Sequence, residues 1–237
     1  MTKKEVKYLK CEECPSRSKG VFSSCEVEST ERLNKNRITN IYKKGQTLFV
    51  EGNTTHGLYC IMEGAVKITR MGPEGKEVMV RLVSIGNILG HRSVFCSERY
   101  SATATALTDT TVCFVDKKFI VELIKKDSLL ALNFIKNLSE DLGASEEKQA
   151  SYTQKNVLER VCELLVLLKI TYGEKVDFGW KLNLKLTRED MASYLGIATE
   201  TLIRSISELK NEKIISQEGK NIIILDEAKM LKLGKID

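Results

Sequence analysis

The sequence predicts an α+β protein: a β-rich half, a long helical stretch, and a helix-turn-helix followed by a small β wing. Three observations predict it. Short apolar segments broken by turn signals run from about Arg37 to Val115, a helical pattern runs from about Asp116 to Tyr152, and the segment LTREDMASYLGIATETLIRSISELK occupies Leu186 to Lys210. A chain of 237 residues is long enough for two domains with cores of their own.

Residues 1–28 form a basic lead that carries Cys11, Cys14 and Cys25. In residues 29–115 the segments IYKKGQTLFV, LYCIM, AVKITR, EVMVRLV, SATATAL and TTVCFV are separated by Gly52-Asn53, Glu63-Gly64 and Gly72-Pro73-Glu74-Gly75. Short strands at this spacing make a β-sandwich or barrel.

The stretch 116–152 places Ala131, Ile135, Leu138, Leu142, Ser145, Gln149 and Tyr152 at alternating steps of four and three, a heptad seam. Phe119, Leu123 and Ile124 are expected to pack on the chain's own barrel. The seam beyond them is expected to meet a second copy, which makes this the dimerisation helix of a homodimer. Residues 153–237 open with a helix from about Gln154 to Tyr172, apolar on one side (Val157, Val161, Leu164, Leu165, Leu168). Cys162 on it is core filler.

In the helix-turn-helix, Thr187 is an N-cap with Asp190 three residues on, and Gly196 supplies the turn because glycine takes a positive φ without strain. The second helix starts near Thr199 and buries Leu202, Ile206 and Leu209. Thr199, Glu200, Ile203, Arg204 and Ser207 then face out. Ile214 to Asp226 has the pattern of a two-stranded wing turning at Gly219. An outward carboxylate and guanidinium four residues apart suit the major groove of DNA, and a two-fold protein suits paired half-sites. The structural alternative is a helical hairpin inside a globular core.

Composition narrows the field. Charged residues are 29% and hydrophobic ones 42% of the chain, as in a globular protein. No apolar run approaches the ~20 residues of a membrane helix. MTKKEVKYLK has no apolar signal region, so the expected compartment is the cytoplasm, with no membrane partner. Basic residues exceed acidic ones by 11 to 6 in residues 1–50, but stand at 16 to 17 in 51–180 and 10 to 9 in 181–237. Phosphate contacts must come from a few placed groups such as Lys185, Arg188, Lys210, Lys213 and Lys220. With two histidines (His56, His91), no glycine-rich phosphate loop and no assembled nucleophile–base pair, no enzyme activity is expected. Seven cysteines in a cytoplasmic chain point to thiols, metal or redox chemistry before structural disulfides.

The order of these parts, from about residue 37 to the end, resembles the CRP/FNR family of bacterial transcription regulators. The matching words are KKGQTLFVEG, HGLYCIMEGAVKI, EGKEVMVRLVSIGNILG, SATATALTDTTVCFVDKKF and LTREDMASYLGIATETLIRSISELK. The resemblance implies a cyclic-nucleotide-binding-type β-barrel (jelly roll) as sensor, a dimerisation helix, and a winged helix that binds double-stranded promoter DNA. RNA polymerase is the implied partner, with the hairpin tip Gly72–Gly75 a candidate contact. Glu200 and Arg204 fall where the family reads its half-site: guanidinium to guanine O6 and N7, carboxylate to cytosine N4. Thr199 stands where cyclic-AMP receptor proteins carry Arg, and Ile203 where the FNR branch carries Ser. Thr201 is a candidate phosphate contact.

Cyclic-AMP binders of the family place Gly-Glu before a short helix and Arg-Ser-Ala after it. This chain has Gly90-His91-Arg92 and Tyr100-Ser101-Ala102, so both charged contacts are missing and cyclic AMP is not the expected effector. Gly90, His91, Arg92, Arg99 and Ser101 are the candidate effector-pocket residues, with surface or structural roles as the alternative. The FNR branch holds a [4Fe–4S] cluster with three N-terminal cysteines and one barrel cysteine; by resemblance these are Cys11, Cys14, Cys25 and Cys113. Ten residues separate Cys14 from Cys25 where the oxygen sensor has five. Zinc is the alternative occupant but lacks an obvious fourth ligand. Cys60 and Cys96 are alternative ligands or ordinary barrel residues. The rival to a DNA-binding regulator is an iron–sulfur or other metal- or redox-sensing protein whose helix-turn-helix is not used for DNA.

Overall fold

A computed structural model describes residues 10–96, 98–219 and 221–236. The chain divides into two compact units, Met1–Leu142 and Gly143–Asp237.

The first unit is an antiparallel sandwich of two four-stranded sheets. Its strands are β1 (Arg37–Tyr42), β2 (Thr47–Phe49), β3 (Gly57–Glu63), β4 (Val66–Met71), β5 (Glu77–Val83), β6 (Ile88–Leu89), β7 (Thr103–Ala106) and β8 (Thr110–Asp116). One sheet runs β1-β8-β3-β6 and the other β2-β7-β4-β5. The segment IYKKGQTLFV forms parts of two strands, because Gly45 at φ 85° turns the chain between them.

Side chains alternate across a strand, so β3 and β8 face two ways. Tyr59, Ile61 and Val112 point into the sandwich, where they meet Phe49, Val66, Leu89 and Tyr100. Leu58, Cys60 and Val115 point outward. Helices cover that outer face: α1 (Val27–Asn36), α3 (Lys117–Lys126) and the start of α4 (Ser128–Gln154). The short α2 (His91–Cys96) also belongs to the first unit. Leu33, Val94, Ile120, Leu123, Leu130 and Phe134 close this second core, together with Val21 and Cys25 from the lead. Gly57 allows β3 to lie close against β8, since a Cβ there would lie 2.1 Å from Val115 O.

The expected single helical stretch 116–152 is interrupted. Asp127, extended at φ −117° and ψ 101°, ends α3. Its carboxylate accepts from Leu130 N at 2.8 Å and from Glu26 N at 3.1 Å. An aspartate that caps one helix and ties down the backbone before α1 stabilises a break that periodicity alone does not reveal.

The second unit begins in α4 and continues through α5 (Val157–Tyr172), β9 (Gly173–Val176), β10 (Gly179–Leu182), α6 (Arg188–Leu195), α7 (Thr199–Asn211), β11 (Ile215–Glu218), β12 (Asn221–Ile224) and α8 (Glu227–Gly234). A capping box starts α5: Asn156 Oδ1 accepts from Glu159 N and Glu159 Oε2 from Asn156 N, each at 3.0 Å. Val161, Cys162, Leu164, Leu165 and Leu168 are buried on this helix. The wing strands β11 and β12 are extended by β10 and β9 into one four-stranded sheet. That second hairpin lies in the polar stretch GEKVDFGWKL, where no strand was expected.

Candidate nucleic-acid interface and sensor pockets

Helix α6 is set by local chemistry. Thr187 Oγ1 accepts from Asp190 N at 3.0 Å, and Gly196 at φ 64° turns the chain toward α7. Leu202, Ser205, Ile206 and Leu209 are buried and fix the roll of α7. At 100° per residue the opposite face then carries Glu200, Ile203, Arg204 and Ser207, all exposed, with Thr199 and Thr201 half-buried at its edges. Among the described residues, neither Glu200 nor Arg204 forms an ion pair or hydrogen bond with the protein. Glu200 lies in the first turn, where the helix dipole favours a carboxylate.

Arg188 serves a different purpose in the free protein. Its Nη2 donates to Gln217 Oε1 on β11 at 3.0 Å, joining α6 to the wing, and burial lowers its pKa. Lys185, Lys210 and Lys213 are exposed; Lys220 lies outside the described residues.

The seam on α4 is open in its first half. Ile135 is 60% and Leu142 61% exposed, and Leu129, Leu132 and Leu138 are exposed beside them. Its last member has partners in the second unit. Tyr152 Oη donates to Tyr194 O at 2.7 Å, and the Arg160 guanidinium lies 5.2 Å from the ring centre.

In the barrel, Tyr100, the residue that stands before Ser101-Ala102, is buried in the sandwich core. Its ring stacks on Phe49 at 4.1 Å, and its hydroxyl donates to Gly57 O at 2.9 Å. Gly90 sits against that ring, 3.0 Å from where its Cβ would be. Arg92 and Arg99 are exposed, and Arg99 Nη1 donates to Gly52 O at 2.7 Å. Ser101 N donates to Ser93 Oγ at 3.1 Å. His91 is buried, with Nε2 3.2 Å from Asp141 Oδ2 on α4. The same carboxylate takes a bidentate pair from Arg81 on β5, with Nη1 to Oδ2 at 2.6 Å. Burial alone would raise the Asp141 pKa, but the His91 hydrogen bond and the Arg81 charge outweigh it and hold the group below its ordinary value. Asp141 was not among the expected site residues, because its partners lie 50 and 60 positions away in sequence.

A pocket lies outside the sheet, under the N-terminal lead. Cys11, Cys14, Cys60 and Cys113 line it together with Met62, Arg17 and Arg37. Cys113 Sγ accepts from Arg37 Nη1 at 2.9 Å and lies 3.1 Å from Met62 Sδ. Cys14 Sγ is 3.0 Å from Ser16 Oγ. Burial pushes the Cys11 thiol up to about 11 and raises Cys60 as well. Three of the four expected cluster ligands thus share one pocket. Cys25 is not among its lining residues; it packs in the adjoining core, where burial pushes its thiol up to about 12. Among the described residues no three His, Cys, Asp or Glu side chains are already arranged to hold a metal ion. The donor chemistry nonetheless fits thiophilic metals and iron–sulfur clusters, because the pocket presents thiols and a thioether. Cys60 enters through pairing: it faces Cys113 across β3 and β8. Cys96 is exposed on α2 and does not line the pocket.

These features define a DNA-binding winged-helix regulator with a β-sandwich domain. A family model described as a cyclic nucleotide-binding domain matches residues 39–127, and one described as a Crp-like helix-turn-helix domain matches residues 159–233. The transcriptional activator protein FnrL of Cereibacter sphaeroides is 28% identical over 244 residues, covering 98% of this chain and 95% of that protein. The CRP-like cAMP-activated global transcriptional regulator of Mycobacterium tuberculosis is 24% identical, covering 91% and 96%. The solved structure of FixK2 from Bradyrhizobium japonicum superposes with a TM-score of 0.74 at 21% identity, over 83% of this chain and 96% of that one, and so shares the fold. The chain belongs to the CRP/FNR family of transcription regulators. No helix among the described residues is long and apolar enough to cross a membrane.

Proposed function

We propose that the chain works as a cytoplasmic homodimer that reads a two-fold promoter site with Glu200 and Arg204. The observation that carries this is the face of α7: a carboxylate and a guanidinium four residues apart, both exposed and without a hydrogen bond or ion pair among the described residues, on a helix fixed by a buried apolar stripe. Arg204 pairs with guanine O6 and N7, and Glu200 accepts from cytosine N4. Thr199 and Thr201 flank them. Arg188 reaches phosphate by releasing Gln217. The open apolar seam on α4 supports dimerisation, and two copies of α7 then meet two half-sites. RNA polymerase is the downstream partner, and Gly72–Gly75 its candidate contact. The molecule is a regulator and not an enzyme; the rival in which the helix-turn-helix never meets DNA is disfavoured by the Crp-like match.

The signal side follows from the packed barrel interior and the thiol pocket. Tyr100, buried and stacked on Phe49, stands in place of the phosphate-pairing arginine expected by resemblance, which supports a regulator that does not use cyclic AMP. The thiol pocket supports sensing by a metal or iron–sulfur centre, with Cys11, Cys14 and Cys113 from the expected [4Fe–4S] set. Held by these thiols, such a centre would supply oxygen- or metal-dependent bonds between the lead and the barrel. Its state is relayed along α4 as a shift between two dimer arrangements.

Competition binding with cognate and single-base-substituted duplexes tests the DNA reading. Glu200→Ala and Arg204→Ala should each cost about 1–3 kcal/mol at the cognate half-site and relax discrimination there. Full discrimination in both variants would show that other residues read the bases.

A further inference from the structure

We propose that Cys11, Cys14, Cys60 and Cys113 bind one thiophilic divalent ion of the zinc class in a tetrahedral thiolate site, with Cys60 and not Cys25 as the fourth ligand. This deepens the sensory reading above and rests on it.

The argument begins with strand register. Cys60 on β3 and Cys113 on β8 are direct cross-strand partners in an antiparallel pair, and both line the pocket. Side chains so placed have Cβ atoms about 4.5–5.5 Å apart. A tetrahedral ion with metal–sulfur bonds of about 2.3 Å holds its sulfurs about 3.8 Å from one another, a spacing such a pair reaches by rotation about χ1. A cubane spreads its four ligands further apart, and adjacent residues on paired strands suit it less well.

The other two thiols arrive as a Cys-x-x-Cys turn. Cys14 N donates to Cys11 O at 3.3 Å, which curls the backbone between them. Ser16, whose hydroxyl is 3.0 Å from Cys14 Sγ, lines the same pocket as both halves of the site. Charge completes the case. Four thiolates around a divalent ion carry a net charge of −2, and two guanidiniums, Arg17 and Arg37, line the same pocket. Arg37 already donates to Cys113 Sγ. Ion entry releases the four thiol protons to solvent and pulls Cys113 away from Met62. Cys25 has no such position: it packs among Val21, Leu33, Leu130 and Phe134.

The test uses the full-length reduced chain, stripped of metal under anaerobic conditions and titrated with Co2+, then with Zn2+. The expected result is one Co2+ per chain with a thiolate-to-cobalt charge-transfer band and tetrahedral ligand-field bands, displaced by Zn2+. Cys25→Ser should leave the spectrum and stoichiometry unchanged. Cys60→Ser and Cys60→Ala should each lose part of the charge-transfer intensity and bind at least about tenfold more weakly, since loss of even an outer partner costs about 10–100-fold. Circular dichroism of each metal-free variant separates this loss from unfolding, and Cys113→Ser provides a second ligand to test. An unchanged Cys60→Ser spectrum, or loss in Cys25→Ser, would overturn the ligand assignment. Iron and sulfide in cluster stoichiometry in anaerobically purified protein would overturn the single ion and leave the sensory reading standing. Failure of any metal to bind would overturn both.

Discussion

Truncating Ile135 isolates the dimer seam from the fold. The side chain lies on α4 and is 60% exposed in the single chain, so little of it serves the barrel. Replacement by alanine removes three carbons. At about 0.8 kcal/mol per buried carbon, scaled by the fraction still open to water, a partner that covers the site loses about 1.4 kcal/mol per protomer. A two-fold interface counts the change twice, giving about 3 kcal/mol, or roughly a 100-fold rise in the dimer dissociation constant. Sedimentation equilibrium over a range of concentrations measures it. Leu130→Ala, five residues earlier and fully buried, provides the contrast: it should cost about 2–5 kcal/mol of fold stability. An Ile135→Ala protein with the wild-type dimer constant would refute the assignment of this face to a second copy.

Two further outcomes are expected. Asp141 is held ionised by His91 and Arg81, with its folded pKa below the unfolded value. Its contribution is therefore fully present above the ordinary carboxylate range near pH 4 and is lost as pH falls through the depressed folded pKa. The melting-temperature gap between wild type and Asp141→Asn should be open at pH 7 and close in acid; a gap independent of pH would contradict the role. Calorimetric titration with cyclic AMP should give no saturable heat at micromolar ligand, because Tyr100 stands before Ser101-Ala102 where an arginine would pair the phosphate, and its ring is stacked on Phe49. Saturable micromolar binding would contradict that reading of the pocket.

Local signals made the DNA-binding helices legible from sequence. Thr187, Asp190 and Gly196 act within a few residues of one another, and the Leu202, Ile206, Leu209 stripe needs only helical periodicity. The barrel strands were legible for the same reason. What remained hidden depends on distant pairing. Asp127 breaks the helical stretch with help from Glu26, 101 positions away. The hairpin β9–β10 is polar, and β10 owes part of its pairing to β12, well separated in sequence. Cys60 looked like one more barrel residue until strand register set it opposite Cys113. Asp141 gained meaning only when folding brought Arg81 and His91 to one carboxylate.

Selection of bound duplexes from a random pool, run on anaerobic and aerated full-length protein, tests the central claim most directly. A dimer that presents two copies of α7 predicts an enriched pseudo-palindrome whose half-sites are centred about one helical turn, 10–10.5 base pairs, or a multiple of it, apart. It also predicts that base preference collapses at one position per half-site in Arg204→Ala. Enrichment of a lone half-site, or no enrichment in either atmosphere, would contradict it.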